Sequence, residues 1–223
     1  MATELCSKDG ILIRVMTVSD YKQVKIFMGG NFYNGEPLCA SSGEDVQKCY
    51  EKENDEYHIS MIEQGTCLLA TEEKTGRIVG LVLAGAQFPS CLEKHRKEAA
   101  AMEPNTWGLI AVFLSKVEIK VNLFERYAIS KLLYSHITNV DASMRGKGLG
   151  SRLAAALMEV GRTKGFPLMI AYCSSFYSAR QKEALGMECI YEQAYADYKD
   201  DSGKVVFKPP APHTHLRVMV IKL

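Results

Sequence analysis

Apolar positions concentrate in Ile11-Leu12-Ile13-Arg14-Val15, a β-branched run that predicts a strand, and Thr17-Val18-Ser19-Asp20 behind it supplies a helix cap before Tyr21 to Met28. Gly29 to Leu38 is rich in Gly and Asn, and Pro37 blocks any helix running through it, so Glu36 is expected on a loop. A polar helical stretch covers Glu44 to Met61. Thr66 to Thr71 and Ile78 to Ala84 then read as a hairpin around the mixed-charge turn Glu72 to Arg77. From Phe88 to Ser130 the apolar spacing turns helical, which predicts a helical insertion. A strand at Tyr134 to Val140 leads into a glycine-rich turn. The helix Ser151 to Lys164 follows, with Leu153, Ala156, Leu157 and Val160 on one face and Gly165 as its stop. Pro167 to Tyr172 has the wholly apolar character of a strand buried on both faces, and a helix is expected from Tyr177 to Leu185. Glu188 to Tyr195 and Leu216 to Leu223 complete the set as strands.

No linker or repeat interrupts the pattern, and 223 residues are enough for one continuous core, so residues 1–223 are expected to form a single domain. Basic and acidic side chains nearly cancel, leaving a net charge of +1 and no field that would gather nucleic acid or an anionic membrane. The expected partner is a small molecule. The N-terminus lacks a basic start followed by an apolar run, and no segment approaches the roughly 20 apolar residues of a spanning helix, so a cytoplasmic protein is expected; a monomer is expected separately. Seven scattered cysteines without a Cys-x-x-Cys pair read as free thiols, and His213-x-His215 is the one close pair of metal-type ligands, so no metal is expected.

The chemistry centres on Asp141-Ala142-Ser143-Met144-Arg145-Gly146-Lys147-Gly148-Leu149-Gly150-Ser151. A strand-to-helix turn leaves backbone N–H groups and a helix dipole facing an anion, and glycines let the backbone approach it closely. A Walker loop would need glycine where Asp141 stands, and the spacing of Gly146, Gly148 and Gly150 does not fit the dinucleotide fingerprint. What remains, Arg145-x-x-Gly148-x-Gly150 after a strand ending at Val140, resembles the pyrophosphate loop of the GNAT acetyltransferase superfamily. The order of elements around it is also similar. The resemblance implies an α/β (α+β) fold with a mixed, mostly antiparallel sheet of about seven strands, splayed between its fourth and fifth, and helices on both faces. It also implies acetyl-CoA as co-substrate. Arg145, Gly146, Lys147, Gly148, Leu149, Gly150 and Ser151 would hold its pyrophosphate, with Thr138, Asn139, Val140 and Ser175 further along the cofactor.

Three separated segments resemble the insect arylalkylamine N-acetyltransferases: Phe32-Tyr33-Asn34-Gly35-Glu36-Pro37-Leu38, Ser174-Ser175-Phe176-Tyr177-Ser178-Ala179-Arg180, and Tyr195 to Asp201 ahead of Pro212-His213-Thr214. An alkylammonium titrates at roughly 10 and must lose a proton before attacking a thioester. The resemblance assigns that base to Glu36, and relay or positioning roles to Ser174 and Ser178, in a direct attack within a ternary complex. Ordinary helix capping is the competing role for the serines. Lys182 stands where many superfamily members carry a tyrosine acid. His136 keeps only half of the histidine pair of the vertebrate enzymes, with Tyr134 at the other position. Phe32, Tyr33, Phe88, Trp107, Phe113 and Phe124 are candidates for an aryl pocket, most of them competing with core roles. Expected acceptors are dopamine, serotonin, octopamine or tryptamine types. Polyamine or peptide-lysine acetylation and a non-catalytic CoA-binding module remain alternatives.

Overall fold

The computed structural model describes residues 3–33, 35–41 and 55–223. Asn34 and most of the helical stretch expected from Glu44 lie outside them. Among the described residues eight strands form one sheet in the order β1-β2-β3-β4-β5-β6-β8-β7, comprising β1 Glu4–Lys8, β2 Ile11–Val15, β3 Leu68–Glu72, β4 Ile78–Gln87, β5 Leu132–Val140, β6 Leu168–Cys173, β7 Glu188–Ala194 and β8 His215–Lys222. All neighbours are antiparallel except β5 and β6. The strand beyond the expected seven is β1. Every residue of it is exposed at the sheet edge, so it carries no burial pattern by which a sequence would betray it.

Helices α1 Tyr21–Asn31 and α3 Asp55–Glu63, with the short α2 Pro37–Ala40 between them, lie over one face. The insertion resolves into α4 Pro89–Ala101, α5 Thr106–Val121 and α6 Leu123–Tyr127, and α5 packs Phe113 and Val117 into the same core. The other face takes α7 Leu149–Thr163, through Leu149, Leu153, Leu157 and Val160, and α8 Phe176–Ala184 through Ala179. With helices above and below it, β4 is almost entirely buried.

Helix α1 continues three residues past its expected end, through Gly29 and Gly30. Burial of Val24 and Met28 outweighs the roughly 1 kcal/mol that each glycine costs in a helix. Gly108, in the first turn of α5, is fixed by space. A Cβ there would lie 2.0 Å from the Glu103 carbonyl oxygen, a backbone atom that cannot swing aside. Gly108→Ala is expected to lose about 3 kcal/mol, read as a lower urea midpoint with unchanged slope.

Two features of β5 create the space for a ligand. It pairs with β6 only at Leu133↔Met169 and Tyr134↔Ile170, after which the strands separate and Ser135 to Val140 face a gap. Against β4, Leu83 pairs Ile137 and Ala84 pairs Ser135, leaving His136 as the extra residue of a bulge. A bulge re-aims the side chain it carries.

Candidate active site

The gap between β5 and β6 opens into a groove of about 770 Å3 that runs to the loop before α7. A second cavity of about 250 Å3, rich in aromatic residues, lies beneath α1, α2, α3 and α5. Phe32, Glu36, His136, Tyr172 and Ser174 line both, and so mark the junction.

At the far end of the groove, α7 begins at Gly148 with φ +79° and no side-chain cap, so its first N–H groups are available to an anion. Gly146 has φ +74°, and a Cβ at either glycine would meet nothing within 4 Å. The loop therefore presents bare backbone to the groove. Gly150 differs, because the Gln181 amide nitrogen lies 2.8 Å from its Cβ position. Arg145 Nε donates to the Val140 carbonyl at 3.4 Å. Two buried donors lining the groove, Asn139 Nδ2 and Gln181 Nε2, have no protein partner. Such groups suit the amide and phosphate oxygens of an extended ligand.

Glu36 at the junction is the N-cap of α2, accepting the Cys39 N–H at 2.7 Å. Pro37 fits the first helical turn, where no N–H is required, so Glu-Pro is a capped helix start rather than free loop. On the opposite wall Ser175 caps α8 by accepting the Tyr177 N–H at 3.2 Å. The Ser174 carbonyl accepts the Tyr195 hydroxyl at 2.8 Å, and Ser178 donates to the Ser175 carbonyl at 3.0 Å. Burial, with Glu36 close by, holds the Tyr195 phenol well above its ordinary range. His213 lines the groove and accepts the Phe176 N–H on Nδ1 at 3.2 Å, so its neutral form carries the proton on Nε2. Burial lowers its pKa, while the Glu36 charge pulls the other way.

The cavity beneath the helices holds two further imidazoles, His58 and His136, with ring centroids 5.8 Å apart. Burial lowers His58 to about 4 and His136 to about 3, so both are neutral near pH 7. The unfolded chain takes up these protons below about 6.5. The folded chain resists until about 4 for His58, so this stability is complete above the unfolded value and is lost as pH falls. His95, raised by the Glu118 carboxylate, works oppositely, but around and above the ordinary value. Between about pH 6 and about pH 4.5, His58 alone is expected to remove about 2 kcal/mol from the unfolding free energy. His136 acts in the same direction. Denaturant melts at the two pH values check this, and equal midpoints would contradict it.

No protein-family model matches the chain. An agmatine N-acetyltransferase, crystallised as a serine-to-alanine mutant without ligand, is 33% identical, with a TM-score of 0.86 over 96% of this chain and 100% of that one. A Drosophila melanogaster polyamine N-acetyltransferase that forms N-acetylagmatine is also 33% identical, with a TM-score of 0.84 over the same shares. A mosquito arylalkylamine N-acetyltransferase, like 5b, is 29% identical, with a TM-score of 0.85 over 96% and 100%. The chain belongs to the insect arylalkylamine and polyamine N-acetyltransferases of the GNAT superfamily. The family activity is acetyl transfer to an amine.

Within this family frame, Glu36, Ser174, Ser178, Ser175, Thr138, Asn139, Val140, Arg145, Gly146, Gly148, Leu149, Gly150 and Ser151 all line the groove, whereas Lys147 does not. The capping role considered for Ser174 and Ser178 falls to Ser175. Lys182 lines the same groove with only 3% of its surface exposed. Of the aromatic candidates, Phe32, Tyr33 and Trp107 line the smaller cavity, Phe113 and Phe124 belong to the core, and Phe88 is exposed. Nothing in the sequence singled out His58 or Tyr57, and His213 stood out as half of a metal-type pair and within the third segment of the family resemblance. Among the described residues no cluster could hold a metal ion, and no helix is long and apolar enough to cross a membrane. Cys6, Cys67, Cys91, Cys173 and Cys189 are free thiols.

Proposed function

We propose that the protein transfers acetyl from acetyl-CoA to the primary amine of a small arylalkylamine. CoA would lie in the groove, its pyrophosphate on the loop from Arg145 to Ser151 and its pantetheine against the unpaired edge of β5. The thioester then reaches the junction, where Glu36 takes a proton from the ammonium, directly or through water, and the freed nitrogen attacks the carbonyl carbon. A backbone N–H of β5 would stabilise the oxyanion. As the tetrahedral intermediate collapses, the carbon–sulfur bond breaks and CoA leaves as thiolate, with Ser174 and Ser178 positioned to orient the departing group or its proton.

The observation that carries the acceptor class is the lining of the smaller cavity. Phe32, Tyr33, Tyr57, Trp107, Tyr134 and Tyr172 supply aromatic walls, which suit an aryl ring through edge and face contacts. The identity to an agmatine enzyme favours a second reading, a cationic or polyamine acceptor. Such a substrate carries a second positive charge that needs a carboxylate. Glu36 and Asp55 are the acidic residues in the described lining, and Asp55 is already bound to Lys25 at 2.8 Å. Steady-state CoA-thiol release with dopamine, tyramine, tryptamine, agmatine and spermidine tests the choice. The arylalkylamines are expected to lead in kcat/KM, and a lead for agmatine or spermidine would overturn the proposal.

A further inference from the structure

Residue His58 on α3 lines the aromatic cavity, is 1% exposed, and takes no part in the chemistry above. Its hydrogen bonds fix which nitrogen carries the proton. Asp55 is ionised, held below the usual carboxylate range chiefly by Lys25, and so can only accept. The Tyr21 hydroxyl lies 2.8 Å from Asp55 Oδ1, which makes Tyr21 the donor of that contact. Its single proton is thereby committed, and the 3.0 Å contact between Tyr21 and His58 Nδ1 requires the hydrogen to be on Nδ1. Burial keeps the ring neutral, so Nε2 is a bare lone pair. That atom has no hydrogen-bond partner, and the cost of an unmet buried acceptor is about 1–3 kcal/mol.

A second orphan belongs to the same lining. Trp107 Nε1–H, in helix α5, is also buried without a partner. The wall of one cavity therefore carries, on two of its lining side chains, an unmet acceptor and an unmet donor among aromatic rings. A guanidinium or an ammonium offers only donors, and an unsubstituted phenyl ring offers neither. A phenolic hydroxyl offers both.

We propose that His58 Nε2 accepts a hydrogen bond from a hydroxyl on the aryl ring of the amine substrate, so that the cavity selects hydroxylated arylalkylamines over their unsubstituted analogues. The Asp55–Tyr21 relay is the positioning device that holds the imidazole in its accepting form. The inference rests on the arylalkylamine reading, and the test separates the two.

Tyramine and 2-phenylethylamine differ by one hydroxyl. The wild-type kcat/KM ratio is expected to favour tyramine by at least about tenfold, the scale of one buried hydrogen bond. In His58→Leu the ratio should fall towards one. In His58→Gln, whose side-chain oxygen can stand near the Nε2 position, part of the preference should return. A rise in melting temperature on adding CoA reports that each variant is folded. Should neither variant fold, 15N spectra of the histidines in the wild type still decide, because tyramine and not 2-phenylethylamine should shift the His58 Nε2 resonance of an Nδ1–H tautomer. A wild-type ratio near one, a ratio unchanged in His58→Leu, or an Nε2–H tautomer overturns the role of His58 while leaving the acceptor class standing. Turnover of agmatine or spermidine with neither arylalkylamine accepted overturns the underlying reading instead.

Discussion

Glu36→Gln is expected to lower kcat by about 10²–10⁴, the usual worth of a positioned general base, while leaving CoA binding in place. The choice of glutamine matters because Glu36 has, in the proposed mechanism, a second task beside its capping one. Its carboxylate accepts the Cys39 N–H and so starts α2, whose Leu38 and Cys39 are buried. A glutamine oxygen can still accept that bond but cannot take a proton from an ammonium. Glu36→Ala removes both functions and should add a loss of about 1 kcal/mol in stability. Pre-steady-state and steady-state CoA release, together with the CoA-induced shift in melting temperature, separate the two tasks. If Glu36→Gln retains wild-type kcat, the residue is a cap and nothing more.

The second large effect is expected at the opposite end of the groove. Gly148 has φ +79° and open space where its Cβ would be, at the point where α7 begins without a side-chain cap. In Gly148→Val a β-branched side chain would strain the backbone and fill the space through which, in the proposed cofactor position, phosphate oxygens would reach the first N–H groups of the helix. Two charge-assisted hydrogen bonds lost at about 1.5–3 kcal/mol each correspond to at least about 100-fold weaker acetyl-CoA binding. Calorimetry with CoA measures it directly. The amine KM should change little, because the aromatic cavity lies beyond the junction.

These two candidate sites were legible in the sequence for different reasons. The glycine loop is a local backbone requirement: positive φ, uncapped N–H groups and an amphipathic helix all leave their mark within about fifteen consecutive residues. Glu36 was legible because Glu-Pro is a compact signal, although the sequence suggested a loop where packing of Leu38 and Cys39 makes a helical turn. The aromatic cavity was only partly legible. Trp107 and Phe113 lie on the same helix, yet one faces the cavity and the other the core, and only the packing of α5 decides which. His58 and Tyr21 approach from two helices that local spacing cannot place side by side. His136 was marked in the sequence only as half of a histidine pair, and its place at the junction coincides with the bulge against β4, which no local pattern announces. His213 reaches the groove because its loop returns beside α8, a long-range contact with no local signal.

The proposed preference for an arylalkylamine over agmatine rests, among the described residues, on the aromatic lining and on the pairing of Asp55 with Lys25. The most direct test is a competition. The protein is given acetyl-CoA with equal, limiting concentrations of tyramine and agmatine, and the two N-acetyl products are counted by mass spectrometry over the first turnovers. The product ratio equals the ratio of kcat/KM and is expected to favour N-acetyltyramine by at least about tenfold, the effect of leaving a second charge without its carboxylate. A mixture dominated by N-acetylagmatine would contradict the account.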